Sequence, residues 1–408
     1  MRVGVFHPGS QNSWQRATAF QETDALGWYA TSAYFHPGSA PVRLANHVPG
    51  ARGERLRQRL LKRWFPPLDA RHIRRMGCIE FGELGLRRAG WTGWAHRVNL
   101  WGNRRFGQAV IGLLKREPVD VVWGYNSSSL EVFRWAKARG LTCVLDQSIG
   151  HPAAENAVLA AEQSRCPALF GESDRRHDAA WIARNDAEIA LADRVVVGSQ
   201  AAADTLTAQG CPAAKIAVVP YGYDETLFPA TPPARTPPLE RPLSCLFVGT
   251  AGPRKGLGYL LPAMAQLPPS QVQLTLVGRL DMPAQALEPY RAKLRHIAQI
   301  PRRDVVAHFL NADLFVFPSL FEGGGVALAE ALGAGLGIVQ GPQSGVGAAD
   351  GVSGRVLPDL SADALAETLA TAARNPEQVS AWQTGAWRAG RTRRWADYRA
   401  GLRGVLGL

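Results

Sequence analysis

The sequence predicts an α/β protein made of two Rossmann-like halves. Three observations carry this. Short apolar runs that read as buried strands alternate with helical patterns from the first residues onward, which implies parallel sheets with helices on both faces. A proline-rich stretch, residues 229–238, interrupts the alternation, allows no helix, and is followed by a fresh start of the pattern. Each half also contains a strand, a turn of small residues and a helix start, the arrangement that places ligands at the carboxyl ends of strands.

The elements follow in order. Residues 2–6 read as the first strand and 11–21 as the first helix. Strands follow at 30–33, 119–123 and 142–146, with a helix at 129–138 between the last two. A helix at Ala179–Leu191 leads into a strand at 194–198. Beyond the proline-rich stretch come strand 244–248, helix 256–266, strand 273–277 and helices at 283–296 and 305–311. Strand Leu314–Phe317, helix Val326–Gly333, strand Gly337–Gln340 and helix 362–375 complete the second half. Residues 37–107 are basic, contain tryptophan and show no clear βαβ pattern. Trp382, Trp387, Trp395 and Tyr398 line a basic helical tail whose spacing suits docking on another domain.

Composition narrows the function class. The chain has 408 residues and 46% hydrophobic content, enough for one to three packed domains and incompatible with a disordered chain. No segment approaches the roughly 20 unbroken apolar residues that span a bilayer. The N-terminus, Met1 to Phe6, reads as a short strand rather than a signal peptide. Five dispersed cysteines, Cys78, Cys143, Cys166, Cys211 and Cys245, form no C-x-x-C pair, which fits a reducing cytosol without disulfides or a zinc site. The net charge is +12. Much of it lies between Arg52 and Arg75, where Arg55, Arg59 and Lys62 interleave with Leu60, Trp64 and Phe65. That is a basic amphipathic helix ending at Pro66 and Pro67, the type that lies on anionic membranes; the other reading is a surface helix whose apolar stripe packs on its own domain. Zinc-finger spacing, an aromatic RNA-binding signature and a heptad zipper are all missing, so nucleic acid is not an expected partner.

The most telling stretch is 318–335, Pro-Ser-Leu-Phe-Glu-Gly-Gly-Gly-Val-Ala-Leu-Ala-Glu-Ala-Leu-Gly-Ala-Gly. A buried strand, a turn of Gly323, Gly324 and Gly325, and a helix starting at Val326 make an anion-ready site, because first-turn N–H groups lack intrahelical partners and the helix dipole favours negative charge. Glu322 and Glu330 repel phosphate but accept hydrogen bonds from hydroxyls. A molecule carrying both phosphate and several hydroxyls, such as a nucleotide-sugar, matches that pairing. A second strand–turn–helix runs from Leu246 through Gly249 to Leu257 and puts two adjacent cations, Arg254 and Lys255, in the turn. Such cations suit a diphosphate leaving group, on which bond cleavage builds negative charge. The turn after the first strand, His7 to Ser13, offers Gly9, Ser10, Gln11, Asn12 and Ser13; its plainer reading is a βα turn with Asn12 or Ser13 as the helix cap. His151 follows the strand at 142–146. Asp-x-Asp in a suitable loop, H-x-x-H and H-E-x-x-H do not occur, so no metal is expected.

The Glu322-x7-Glu330 pattern in its Pro-Ser-Leu-Phe-Glu-Gly-x-Gly context resembles the retaining glycosyltransferases of family 4, which have the GT-B fold. Ala192-Asp193 before a strand and Ser199, and Pro220 to Phe228 at the domain junction, resemble further signatures of that family. The resemblance implies two Rossmann-like domains facing each other across a cleft. Residues 1–222 would be the acceptor-side domain, 223–242 the connection, 243–385 the nucleotide-sugar domain and 386–408 a terminal helix crossing back. It implies a retaining, metal-independent hexosyltransferase that moves a sugar from a UDP- or GDP-sugar to a lipid-linked or surface-glycan acceptor. No cofactor beyond the co-substrate is implied. The enzyme would be cytoplasmic, and in the membrane reading of the basic helix it would sit peripherally on the inner face of the cytoplasmic membrane.

By the same resemblance Glu330 holds the ribose, Glu322 the sugar side, and Arg254 and Lys255 the diphosphate. Gly9, Ser10, Gly249 and Gly323 to Val326 line the donor, and His7, Gln11, Asn12 and Ser13 the acceptor side. His151 and His7 compete as the catalytic histidine, and the sequence leaves both open. Two departures stand out: Thr250 occupies the place where relatives often carry the arginine, and Gly324 replaces a bulkier residue. The rival classes are an epimerase of the same fold and a glycan binder that has lost turnover.

Overall fold

The computed structural model describes residues 1–9, 12–77, 92–171, 176–233 and 241–408, side chains at 92–93, 95–97 and 100 excepted. Ser10, Gln11, Cys78 and residues 234–238 of the proline-rich stretch lie outside them. The chain divides into two compact units. The first comprises Met1–Gln147, Ala183–Val196 and Arg399–Leu408, and the second Ser148–Ile182 and Val197–Tyr398.

One sheet contains β1 (Val3–Phe6), β2 (Leu26–Thr31), β3 (Ile73–Arg75), β4 (Val121–Tyr125), β5 (Thr142–Gln147), β6 (Arg194–Val197) and β7 (Ile216–Val218), in the order β3-β2-β1-β4-β5-β6-β7. β1 pairs in parallel with both β2 and β4, so the strand order reverses there. Such a switch point opens a crevice at the carboxyl ends. β1, β2 and β4 are buried along their whole length, as strands covered on both faces must be.

The second sheet is parallel throughout. It contains β8 (Leu243–Val248), β9 (Val272–Val277), β10 (Leu294–Ile297), β11 (Leu314–Phe317), β12 (Gly337–Gln340) and β13 (Gly354–Val356), in the order β10-β9-β8-β11-β12-β13. Because β8 and β11 are neighbours, the turns that leave them lie side by side. Leu260, Phe247, Phe315, Leu328 and Ile338 are among the fully buried residues that pack this sheet and its helices into one core.

Strand Leu314–Phe317 and helix Val326–Gly333 form with the bounds expected from the sequence. The helix expected at 283–296 does not form. A 3₁₀ turn, Ala284–Tyr290, contains Pro289, which can neither donate a backbone hydrogen bond nor fit an α-helix interior, and β10 follows. The stretch 37–107, which showed no pattern, supplies β3, and helix Thr92–Arg116 begins there. The basic helix forms at Gly50–Leu61. Phe65 beyond it is buried and stacks on Trp14 at 5.4 Å, so part of the apolar stripe packs on its own unit, while Arg52, Arg55, Arg59 and Lys62 are exposed.

Two carboxylates, one fully buried and one partly exposed, tie the first unit together. Glu188, fully buried in helix Ala179–Leu191, accepts from the amides of Ser127, Ser129 and Leu130 at 2.6, 2.9 and 3.1 Å. It therefore caps helix Leu130–Lys137 from outside. Asp193 accepts from the Cys143 amide and from Lys137. Both residues are architectural.

Candidate functional site

In the second unit the turn leaving β8 and the turn leaving β11 are stitched together. The Leu320 amide donates to the Arg254 carbonyl at 3.0 Å, and the Arg254 guanidinium donates back to the Phe321 carbonyl at 2.6 Å. The approach is close enough to require glycine. A Cβ on Gly256, which has φ +74, would stand 1.9 Å from the Pro318 carbonyl oxygen, and one on Gly323 would stand 1.9 Å from that of Ser148. Gly324 has a similar cause: a Cβ there would press on the Tyr221 ring at 2.7 Å.

Across this junction the Lys255 ammonium is in direct contact with the Glu322 carboxylate. Lys255 is 9% exposed and also lies over the Phe317 ring, 4.6 Å from its centroid. Burial lowers its pKa well below the ordinary lysine value, the Arg254 charge lowers it further, and Glu155 opposes both. Arg254 is itself 3.5 Å from Glu155. Helix Val326–Gly333 starts directly after the triple glycine. Its cap residue, Gly325, is left-handed and no side chain caps the first turn. Two cations and an uncapped helix N-terminus thus converge with one carboxylate, a combination suited to phosphate oxygens beside hydroxyls.

Glu330 lies on the same helix, 9% exposed, and pairs with Arg302 at 2.6 Å. Burial raises its pKa, with Arg302 opposing and Asp224 reinforcing. Gly249, Arg254, Lys255, Glu322, Gly323, Gly324, Gly325, Val326 and Glu330 therefore belong to one carboxyl-edge region of the second unit. His151 is in this unit too. A Cβ on the preceding Gly150 would meet the Phe321 ring at 2.6 Å, so this segment packs on the glycine turn. The His151 ring caps helix Pro152–Arg165, Nδ1 accepting from the Ala153 amide at 3.2 Å, and only 1% of the residue is exposed.

His7, Gly9, Asn12 and Ser13 belong to the first unit, at the switch point between β1 and β4. His7 packs edge-on against Tyr125, with ring centroids 4.4 Å apart, and its Nδ1 is buried with no hydrogen-bond partner among the described residues. Arg16 makes a two-pronged bond to Asp146, at 2.7 and 3.0 Å, and donates to the Asn12 carbonyl at 3.1 Å. Arg16 and Asp146 are each 1% exposed. Breaking such a buried pair from one side costs roughly 3–5 kcal/mol. Asn12 is left-handed with φ 55 and makes no side-chain cap; Ser13 is fully buried against the Tyr29 hydroxyl at 2.7 Å.

Residues 233–387 match the family described as glycosyl transferases group 1, and residues 70–222 match the glycosyl transferase 4-like domain. The chain belongs to the group 1 glycosyltransferases. Among curated relatives, the amylovoran biosynthesis glycosyltransferase AmsK of Erwinia amylovora is 31% identical over 179 residues, 40% of this chain and 43% of that one. The chain thus aligns with less than half the length of this relative. Solved structures of low identity share the fold. Sucrose-phosphate synthase from Thermosynechococcus elongatus superposes with TM-score 0.67 at 17% identity, over 100% of this chain and 98% of the other. The Anabaena protein HepE, solved in complex with UDP, gives 0.63 at 15% identity over 100% and 99%. The fold of this glycosyltransferase-family chain is therefore GT-B, two Rossmann-like α/β domains.

Sequence reasoning missed the partners of the named residues. Arg302 begins a helix and faces Glu330; Glu155 lies on helix Pro152–Arg165, for which the pattern gave no signal; Arg16 and Asp146 read as ordinary helix and strand residues. Charge pairs formed between distant segments leave no local trace.

The buried His7 has a measurable consequence. Burial, helped by Arg16 and Arg63 and opposed by a hydrogen bond to Gly9, lowers its pKa from 6.5 to about 4. As pH falls through 6.5 the unfolded chain takes up a proton that the folded one refuses until about 4, so stability is lost across that window. The loss from this group approaches about 3 kcal/mol, at about 1.4 kcal/mol per pKa unit. Urea unfolding at neutral pH and at about pH 4 should show His7→Gln losing less stability than wild type by about that amount. Equal losses would show that His7 titrates normally in the folded protein.

Proposed function

We propose that this protein is a retaining, metal-independent hexosyltransferase that moves a sugar from a UDP- or GDP-sugar to a hydroxyl of a lipid-linked or surface-glycan acceptor in polysaccharide biosynthesis. One observation carries the proposal: Lys255, Arg254 and the uncapped helix start at Val326 meet Glu322 at the junction of two glycine turns. The UDP complexes of HepE and the amylovoran role in the name of AmsK support the donor and pathway class.

The chemistry follows from the partners. A diphosphate entering the junction draws Lys255 away from Glu322, because two phosphate charges outbid one carboxylate. Glu322, released, accepts hydrogen bonds from the sugar hydroxyls. Glu330 exchanges Arg302 for the ribose hydroxyls. As the glycosidic bond to phosphate breaks, Lys255, Arg254 and the amides around Val326 stabilise the growing negative charge, which is the role a divalent cation plays in other transferases. Attack from the same face, with the leaving phosphate taking the acceptor proton, retains the anomeric configuration.

The first unit supplies the acceptor side in this reading. His7 offers a neutral imidazole near the switch point, and Arg16 fixes the loop that carries it. Membrane association rests on a separate feature. Leu44, Val48 and Leu56, on or next to the helix that holds Arg52, Arg55 and Arg59, are exposed by 69, 41 and 43%, and Trp94 and Trp101 on helix Thr92–Arg116 by 61 and 54%. Exposed apolar side chains among basic ones, with Arg105 lying over the Trp101 ring at 5.5 Å, suit an anionic lipid surface, at about 1 kcal/mol per engaged charge.

Three outcomes are expected. Glu330→Ala should weaken UDP or GDP binding in calorimetry by about 1.5–3 kcal/mol with thermal stability preserved; unchanged affinity for every nucleotide that binds wild type would remove Glu330 from the site. Transfer activity should survive excess EDTA, whereas loss on chelation with recovery on Mn²⁺ would refute the neutralising role of Arg254 and Lys255. In co-sedimentation, wild type should pellet with anionic but not neutral vesicles, and Glu substitutions at Arg55, Arg59 and Lys62 should release it. Pelleting with both vesicle types or with neither would exclude the electrostatic membrane contact.

A further inference from the structure

A second recess lies in the same unit, away from the glycine turns. It is a cavity of about 540 Å³ between β13, helix Ala362–Arg374 and helix Pro376–Gly390. It shares no lining residue with the turns at 249–256 and 318–330. Its size falls within the roughly 300–1,000 Å³ of small-molecule sites. The lining has a definite character. Leu357, Ala372 and Trp382 form a buried apolar floor. Asp359 and Glu367 are exposed on its wall, and Thr368 and Gln378 are half-buried there. Among the described residues none of these four side chains has a hydrogen-bond or ion-pair partner. The Trp382 residue is 8% exposed, and its indole N–H is buried with no acceptor among the described residues. Buried indole N–H groups usually find a partner.

The charges decide the ligand class. Arg355 at the rim is held by Asp350 at 2.8 Å, so Asp359 and Glu367 face the cavity unneutralised. With the rim cation already paired they disfavour phosphate, and with it a second nucleotide site. Carboxylates accept from neighbouring hydroxyls; Thr368 and Gln378 both donate and accept; an apolar floor meets the C–H face of a sugar ring. We propose that this cavity is an accessory saccharide-binding site, taking a short stretch of uncharged oligosaccharide. The choice of class rests on the sugar-transfer reading above, and the site would hold a growing acceptor chain at a distance from the reacting end. A cationic peptide is the competing ligand, since two free carboxylates would also attract it.

The test uses the full chain and defined probes. Saturation-transfer NMR and calorimetry with maltohexaose, cellohexaose and a galacto-oligosaccharide should show millimolar binding of at least one of them. Glu367→Ala combined with Gln378→Ala, at one exposed and one half-buried position, should weaken that binding about fivefold or more, as the loss of two ligand hydrogen bonds requires. Thr368→Trp, which fills the cavity, should abolish it. UDP titrated into the same samples should bind all variants alike; failure of UDP to bind wild type would count against the transferase reading and leave the oligosaccharide result to stand by itself. Absence of binding by all three neutral probes, equal binding to wild type and variants, or binding of a tri-lysine peptide in their place would overturn the saccharide assignment.

Discussion

The contact between Lys255 and Glu322 is the constraint on which the second unit's carboxyl edge depends. A nearly buried ammonium is tolerated only beside a carboxylate, since an unpaired charge there would cost several kcal/mol. The two residues come from turns far apart in sequence. Strand order brings them together: β8 and β11 are neighbours, so their turns emerge side by side. Glycine at 256 then lets the two turn backbones close to contact distance, and glycine at 323 lets the second turn pack on the Ser148 backbone. Sheet topology, turn composition and the ion pair are therefore one arrangement, and a change in any of them opens the junction.

The resting pairing also defines what the site must exchange. Both carboxylates are occupied by cations, Glu322 by Lys255 and Glu330 by Arg302. A phosphate-bearing ligand with several hydroxyls satisfies all four groups at once, whereas phosphate alone would strip the carboxylates of their partners and leave them buried. Burial raises the Glu330 pKa even against the opposing charge and hydrogen bond of Arg302. Under the proposed function, charge balance would favour such a combined ligand over free phosphate. Glu155, which touches Arg254 and pairs with His177 at 3.1 Å, carries the same logic one step outward, because it fixes the second cation of the turn.

Much of this was legible in the sequence where the signal is local. The run from Leu314 to Gly333 announced its strand, glycine turn and helix because an apolar run, three glycines and a helical apolar stripe each depend on near neighbours. The family resemblance of the same run led to the GT-B fold. The pattern failed where tertiary context decides. Ala284 to Ile297 has helical composition, yet Pro289 and pairing with β9 turn it into a 3₁₀ segment and an edge strand. β3 and β13, three residues each, are too short to show a period. Arg302, Glu155 and the Arg16–Asp146 pair were invisible because they are defined by partners more than twenty residues away. Gly324, where the resembling family often has a bulkier residue, lies against the Tyr221 ring, a contact that no local pattern shows.

Hydrogen–deuterium exchange with and without UDP addresses the central claim most directly, because it reads the amides of both turns without relying on turnover. UDP should slow exchange at Gly323 to Ala327 and across Thr250 to Leu257, where the helix start and the cation-bearing turn are joined. The same protection should vanish in Lys255→Ala. Exchange unchanged in both turns under saturating UDP, or protection confined to other segments, would contradict the assignment of this junction as the nucleotide site.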